Sequence, residues 1–196
     1  MDKVNDQHYI NLILNGDTNA FKVLVDRYKD LVFTLSLKML HSREEAEESA
    51  QDTFIKVYKS LSRFKGDSKF STWIYKVAYN NCLDRLKRQK RSRAVVPINE
   101  FSEHEVLSLL NVLDAIEEAE RRQMIQDCLV ALPSEECFLL TLYYFNEKSL
   151  KEISRIMGIN ENNVKIKLFR SRKKLAGILK AQLEPEILDQ YEKQRR

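Results

Sequence analysis

The sequence predicts an all-α protein, two small helical domains joined by a flexible acidic linker, and three observations carry that expectation. Four glycines and three prolines in 196 residues leave little material for turn-rich sheet. Apolar residues recur at three- and four-residue intervals, the spacing of one helix face. The 33 basic and 29 acidic residues sum to only +4, yet they are segregated in blocks, so patches of opposite sign await different partners.

The first amphipathic helix starts near Asp17 or Thr18, either of which can cap it, and carries Phe21, Leu24, Val25, Tyr28, Leu31, Val32 and Leu35 on its core face. A second starts at Ser42, which forms a capping box with Glu45, and aligns Ala46, Ala50, Phe54, Val57 and Leu61. Its first two turns are acidic. A loop containing the turn signal Gly66-Asp67 leads to a third helix, expected from about Ser71 to about Arg91 and roughly 30 Å long at 1.5 Å per residue.

Composition then changes. Residues 87–93 hold five bases, whereas 99–120 hold seven acids and no Lys or Arg, which places a domain boundary here. The expected divisions are a first domain over 1–95, an acidic linker over 96–115, a second domain over 116–180 and a charged tail over 181–196. Pro97 interrupts any helix, and Val106, Leu109, Leu110 and Leu113 make at most a short amphipathic turn. Two further helices, over 116–132 and 134–145, flank Pro133 and supply an apolar bed.

On that bed the sequence predicts a helix-turn-helix. Ser149 and Glu152 form a capping box, Leu150, Ile153 and Met157 share a face, Gly158 provides a left-handed stop, and a new helix starts at Asn160. In this second helix Val164, Leu168 and Leu175 pack inward. Lys165, Lys167, Arg170, Arg172, Lys173 and Lys174 point outward, as a helix in a DNA major groove requires.

Basic and aromatic residues interleave from Arg63 to Asn80, an arrangement that offers stacking faces beside phosphate partners. Trp73 and Phe64 are by ordinary burial preference more often core than stacking platforms; Tyr75, Lys76, Tyr79 and Asn80 are the better surface candidates. No catalytic or metal constellation is visible. His8, His41 and His104 are scattered, and Cys82, Cys128 and Cys137 are odd in number and lack C-x-x-C spacing, so neither a disulfide framework nor a zinc site is expected. No cofactor is implied. The N-terminus lacks a signal-peptide layout and the most apolar run, Leu31 to Leu37, is too short to span a bilayer, which together predict a cytoplasmic location.

These segments, in this order, resemble the bacterial RNA polymerase sigma factors of the extracytoplasmic-function (ECF) group over about residues 10–180. The stretch from Glu45 to Phe54 is similar to the family's acidic helix, which implies that Glu47, Glu48, Gln51 and Asp52 dock on the clamp coiled coil of the polymerase largest subunit. The stretch from Arg63 to Ile74 resembles the loop that captures flipped promoter bases. The resemblance implies a −10 set of Lys65, Gly66, Asp67, Ser68, Lys69, Phe70, Trp73, Lys76 and Asn80, with Arg85, Lys87 and Arg88 on duplex phosphates. Leu132 to Glu136 and Val164 to Arg172 resemble the family's second DNA-binding domain, held by the polymerase flap. They imply a −35 set of Asn162, Asn163, Lys165, Lys167, Arg170 and Lys173. An anti-sigma partner is also implied, with no small-molecule substrate and no membrane insertion.

The chain departs from the family pattern at three places. Ser49 and Ala50 replace larger apolar residues, Glu147-Lys148 replaces a Gly-containing turn, and Ile166 stands where a small polar residue is common, facing either a thymine methyl or a neighbouring helix. Two rival readings are an autonomous helix-turn-helix regulator with an N-terminal sensing domain, and a nuclease holding metal at Glu45, Glu47, Glu48 and Asp52.

Overall fold

The computed structural model describes residues 3–88 and 118–182, and among these every regular element is helical. The linker expected over 96–115 lies outside the described residues, as does the tail beyond 182. The described residues fall into two compact units, one of 3–88 with 148–161, the other of 118–147 with 162–182.

The first unit is built on α1 (Lys3–Leu14), α2 (Ala20–Leu40), α3 (Arg43–Ser60) and α4 (Phe70–Arg88). Side-chain caps fix two of the helix starts. The Asp17 carboxylate accepts from the N–H groups of Asn19 (3.1 Å) and Ala20 (3.4 Å), satisfying donors that α2 leaves without helical partners. Ser42 Oγ accepts from the Glu45 N–H at 3.4 Å, and Glu44 and Glu45 put negative charge where the α3 dipole favours it. Between these helices His41 takes the left-handed conformation, φ 56°, and its N–H closes on the Leu37 carbonyl.

Leu24, Tyr28 and Val32 from α2, Val57 from α3, and Phe70, Ile74 and Ala78 from α4 make one core. Burying each large apolar side chain contributes about 1.5–3 kcal/mol before chain entropy is subtracted. Helix α1 was not foreseen. Its apolar residues crowd into its second half and show little helical period, but Ile10 and Ile13 enter the core at 1% and 8% exposure. Asp6 adds a tether, accepting from Arg27 and, at 2.6 Å, from the Tyr28 hydroxyl.

A polar seam crosses the same core. Asn81 is fully buried and donates to the Ser49 carbonyl (2.9 Å) and to the hydroxyls of Ser49 and Thr53 (3.3 Å each), while its Oδ1 accepts from Lys56 Nζ at 2.6 Å. Ser49 is thus small and polar at a position that faces a buried asparagine.

The last element of this unit is α7 (Leu150–Met157), which packs on α4. Its capping box forms as the sequence predicts, Glu152 N–H to Ser149 Oγ at 3.2 Å and Ser149 N–H to Glu152 Oε2 at 3.1 Å, and Gly158 ends it at φ 69°. This packing corrects one expectation. Tyr75 and Tyr79, assigned to the surface, are only 1% and 4% exposed, because α4 meets helices around most of its circumference and Lys148 Nζ lies 5.2 Å over the Tyr75 ring.

In the second unit, α5 (Glu118–Ala131) and α6 (Ser134–Leu140) meet at Pro133, and α6 runs on into a π-helical turn over Thr141–Phe145, closed by the Asn146 N–H on the Thr141 carbonyl. Cys128, Leu129, Leu132, Phe138 and Leu142 are buried there, as are Val164, Leu168, Ala176 and Leu179 of α8 (Glu161–Gln182). Leu175, expected inward, is only partly buried; the buried positions are Ala176 and Leu179.

Candidate polymerase and nucleic-acid interfaces

Helix α3 buries Ala46, Ser49 and Thr53, which turns Glu47, Glu48, Gln51 and Asp52 to the opposite side. The four expected polymerase-binding residues therefore share one face. Its charges are ordered: Arg43 Nε donates to Glu47 at 2.9 Å, and Arg85, reaching across from the last turn of α4, donates through one amino group to Glu48 Oε2 at 2.9 Å and through the other to Asp52 Oδ2. Burial lowers the guanidinium pKa, but the two carboxylates outweigh it and hold Arg85 above its ordinary value. Arg85 was expected on duplex phosphates; in this structure its donors face α3.

The loop between α3 and α4 exposes Lys65, Gly66, Asp67 and Lys69, with Ser68 half-buried. Gly66 sits at φ 78°, a left-handed conformation that favours glycine. An aromatic cluster fixes both ends of the loop, with ring centroids 5.5 Å apart for Phe64 and Phe70, 5.4 Å for Phe64 and Trp73 and 5.5 Å for Tyr28 and Phe70. Phe70 is 3% exposed, so it belongs to the floor that carries the loop; Trp73 is half-buried. Lys76 and Asn80 follow Trp73 on the same helix face and are exposed, and Lys87 and Arg88 are exposed at the end of α4.

A cleft of about 870 Å³ opens beside the loop, and its lining includes Asp6, Gln7, Arg27, Lys148, Glu152 and Arg155. Glu152 Oε1 lies 3.5 Å from the Thr72 hydroxyl and 3.9 Å from Lys69 Nζ, and Arg155 donates to the Asp67 carbonyl at 3.1 Å. Burial raises the Glu152 carboxyl, but the Ser149 N–H and hydroxyl, with the ammonium groups of Lys148 and Lys69, hold it below the usual carboxylate range. Sequence reasoning missed the Asp6, Arg27 and Glu152 contributions, since each reaches the cleft from an element distant in the chain.

On α8, Asn162, Asn163, Lys165, Lys167 and Arg170 are all exposed, as the sequence predicts for a set that reads a groove. Ile166 is 48% exposed, so it is not buried on a neighbouring helix. Three of the bases expected outward have other neighbours. Lys173 Nζ sits 4.8 Å over the Phe169 ring, Arg172 lies 5.4 Å over Tyr143, and Lys174 pairs with Glu136. Lys167 also meets Glu135 at 3.5 Å, an exposed pair that DNA can displace at small cost.

Comparison with known proteins bears on both units. Residues 24–92 match the family model of Sigma-70 region 2, and residues 122–175 match that of Sigma-70, region 4. The chain is 33% identical over 172 residues to the ECF RNA polymerase sigma factor SigW of Bacillus subtilis (strain 168), covering 85% of this chain and 92% of that one. It is 30% identical over 178 residues to the RNA polymerase sigma-H factor of Pseudomonas aeruginosa, covering 85% and 90%. Among solved structures, CnrH in complex with the cytosolic domain of CnrY shares the fold, with a TM-score of 0.59 at 20% identity over 93% of this chain and all of that one. A region 2 match over the helices that carry the acidic face and the aromatic-anchored loop, a region 4 match over the basic helix, and relatives aligned along nearly their whole length leave one classification: the chain belongs to the ECF group of bacterial RNA polymerase sigma factors.

Proposed function

We propose that this sigma factor docks on the clamp coiled coil of the polymerase largest subunit through Glu47, Glu48, Gln51 and Asp52, and grips promoter DNA at two elements. The observation that carries the reading is the pairing, on one four-helix scaffold, of an ordered acidic face with a basic loop anchored at both ends by aromatic rings. The first suits a cationic protein surface, the second an unstacked nucleic-acid strand.

Melting a promoter requires bases to leave the stack at a cost of a few kcal/mol each, so a site must be ready to receive them. Lys65, Gly66, Asp67, Ser68 and Lys69 frame that site beside the cleft, Phe70 forms its floor, and Trp73, Lys76 and Asn80 continue along the strand. Lys87 and Arg88 meet phosphates. At the −35 element, Asn162, Asn163, Lys165, Lys167 and Arg170 read the groove, where each well-formed bidentate contact discriminates by about 1–3 kcal/mol; Lys173 contacts the backbone and Ile166 meets a thymine methyl. The polymerase flap holds this second domain. The protein acts in the cytoplasm, needs no cofactor and makes no bond itself. An anti-sigma factor covers these surfaces when the signal is absent, a reading supported by the complex in which CnrH was solved.

The test is transcription in vitro with purified core polymerase and a genomic fragment library. Promoter-specific transcripts that require this protein are expected, and exchanging the loop over 65–70 for that of a relative changes the −10 preference. Transcripts altered only in the presence of another sigma factor would instead favour an autonomous regulator.

A further inference from the structure

We infer that Arg85 is a positioning residue for polymerase docking and not a DNA contact, an assignment that rests on the proposed clamp-binding role of α3. Its side chain is 16% exposed, and its two amino groups are engaged by Glu48 and Asp52. Those carboxylates stand four residues apart on one helix face, a spacing at which like charges repel. The two acidic side chains are 62% and 46% exposed, so without a partner their carboxylates would be free to disperse into solvent.

Arg85 reverses both tendencies. Planar and always charged, it takes one oxygen from each carboxylate, Oε2 of Glu48 and Oδ2 of Asp52, and leaves the second oxygen of each available to accept from a cationic partner. The two carboxylates are then held in one arrangement before any partner arrives, which removes part of the ordering cost of association. Arg43, by contrast, is 81% exposed and bridges no two carboxylates: it pairs with Glu47 and lies 5.8 Å over the Phe33 ring. Arg85 Nε is buried without a partner, and a phosphate drawn to the remaining amino hydrogens would have to approach beside the negative charges of Glu48 and Asp52.

The test compares the full-length wild type with Arg85→Gln and Arg85→Lys, and repeats Arg85→Gln in a Glu48→Gln, Asp52→Asn background. Core affinity comes from titrating labelled protein with core polymerase, and DNA contact from the salt dependence of promoter-fork binding by the preassembled, saturated holoenzyme. Arg85→Gln is expected to weaken core binding about five- to tenfold, with partial recovery in Arg85→Lys and no further loss in the neutral background. The salt slope stays unchanged, whereas loss of one phosphate contact would lower it by about 0.9. Unchanged core affinity in Arg85→Gln, a salt slope lower by about one ion, or a full additive loss in the neutral background, as a merely structural role would give, each overturns the assignment. A wild-type chain that binds no core overturns the docking reading and this assignment with it; a wild-type chain that binds no better than Arg85→Gln overturns this assignment alone.

Discussion

Glu147 is exposed and holds φ at 49°, a left-handed conformation that an L side chain adopts only at a cost. Crowding between Cβ and the carbonyl in this region is worth about 1–2 kcal/mol, and glycine gives back about 0.4–1 kcal/mol through the greater freedom of the unfolded chain. Glu147→Gly should therefore stabilise the protein by about 0.5–1 kcal/mol, raising the denaturant midpoint without changing the slope, while Glu147→Ala gains nothing. A glycine variant less stable than wild type would show that the turn is not strained. Ser49 makes the complementary point. Its hydroxyl is matched by Asn81 from a helix more than thirty residues away, a pairing that only the folded chain displays.

Among the elements, α7 shows how a locally encoded helix acquires a non-local role. Its capping box and glycine stop were legible because they depend on residues within one turn of each other, and the same locality made α2, α3 and the caps at Asp17 and Ser42 legible. What α7 packs against was not, since Glu152 meets Thr72 and Lys69 across some eighty residues of sequence. The buried far side of α4, the Arg85 bridge and the tether from α1 escaped for that same reason: periodicity announces one apolar face and is silent about a second helix that covers the other.

The depressed pKa of Glu152 gives this element a pH signature. A carboxylate that titrates lower in the folded than in the unfolded protein stabilises the fold above its unfolded value of about 4.3 and loses that contribution as pH falls through the folded value. Glu152→Gln keeps a hydrogen-bond acceptor in the capping box and removes the charge. Thermal melts from pH 7 to pH 3 should show the wild type more stable by a constant margin at neutral pH, a margin that closes below about pH 4.3 as the carboxylate protonates. A margin that persists at pH 3 would mean that the charge of Glu152 contributes nothing and that only its shape matters.

At the scale of the whole molecule, region 2 carries an acidic face and an anchored loop and region 4 a basic helix, while α7, inside the region 4 match, belongs to the first compact unit. Tethering two modest grips can raise avidity by about 10²–10⁴ without any new contact, but only while the geometry lets both engage together. DNA makes that condition measurable, because inserting about five base pairs rotates one element by half of a turn of about 10–10.5 base pairs relative to the other. Promoters carrying both elements should therefore lose at least about tenfold in transcript yield when five base pairs are inserted between them. Ten base pairs should not restore them, since the elements return to the same face but stand about 34 Å further apart. Mutation of the −35 element should matter strongly at the original spacing and hardly at all in the promoter with the half-turn insertion, where that grip is already lost. Yields from a spacer series with purified holoenzyme decide the matter: a half-turn insertion that leaves output within twofold of the original would show that the two units do not read the promoter together, and the bipartite grip would have to be abandoned.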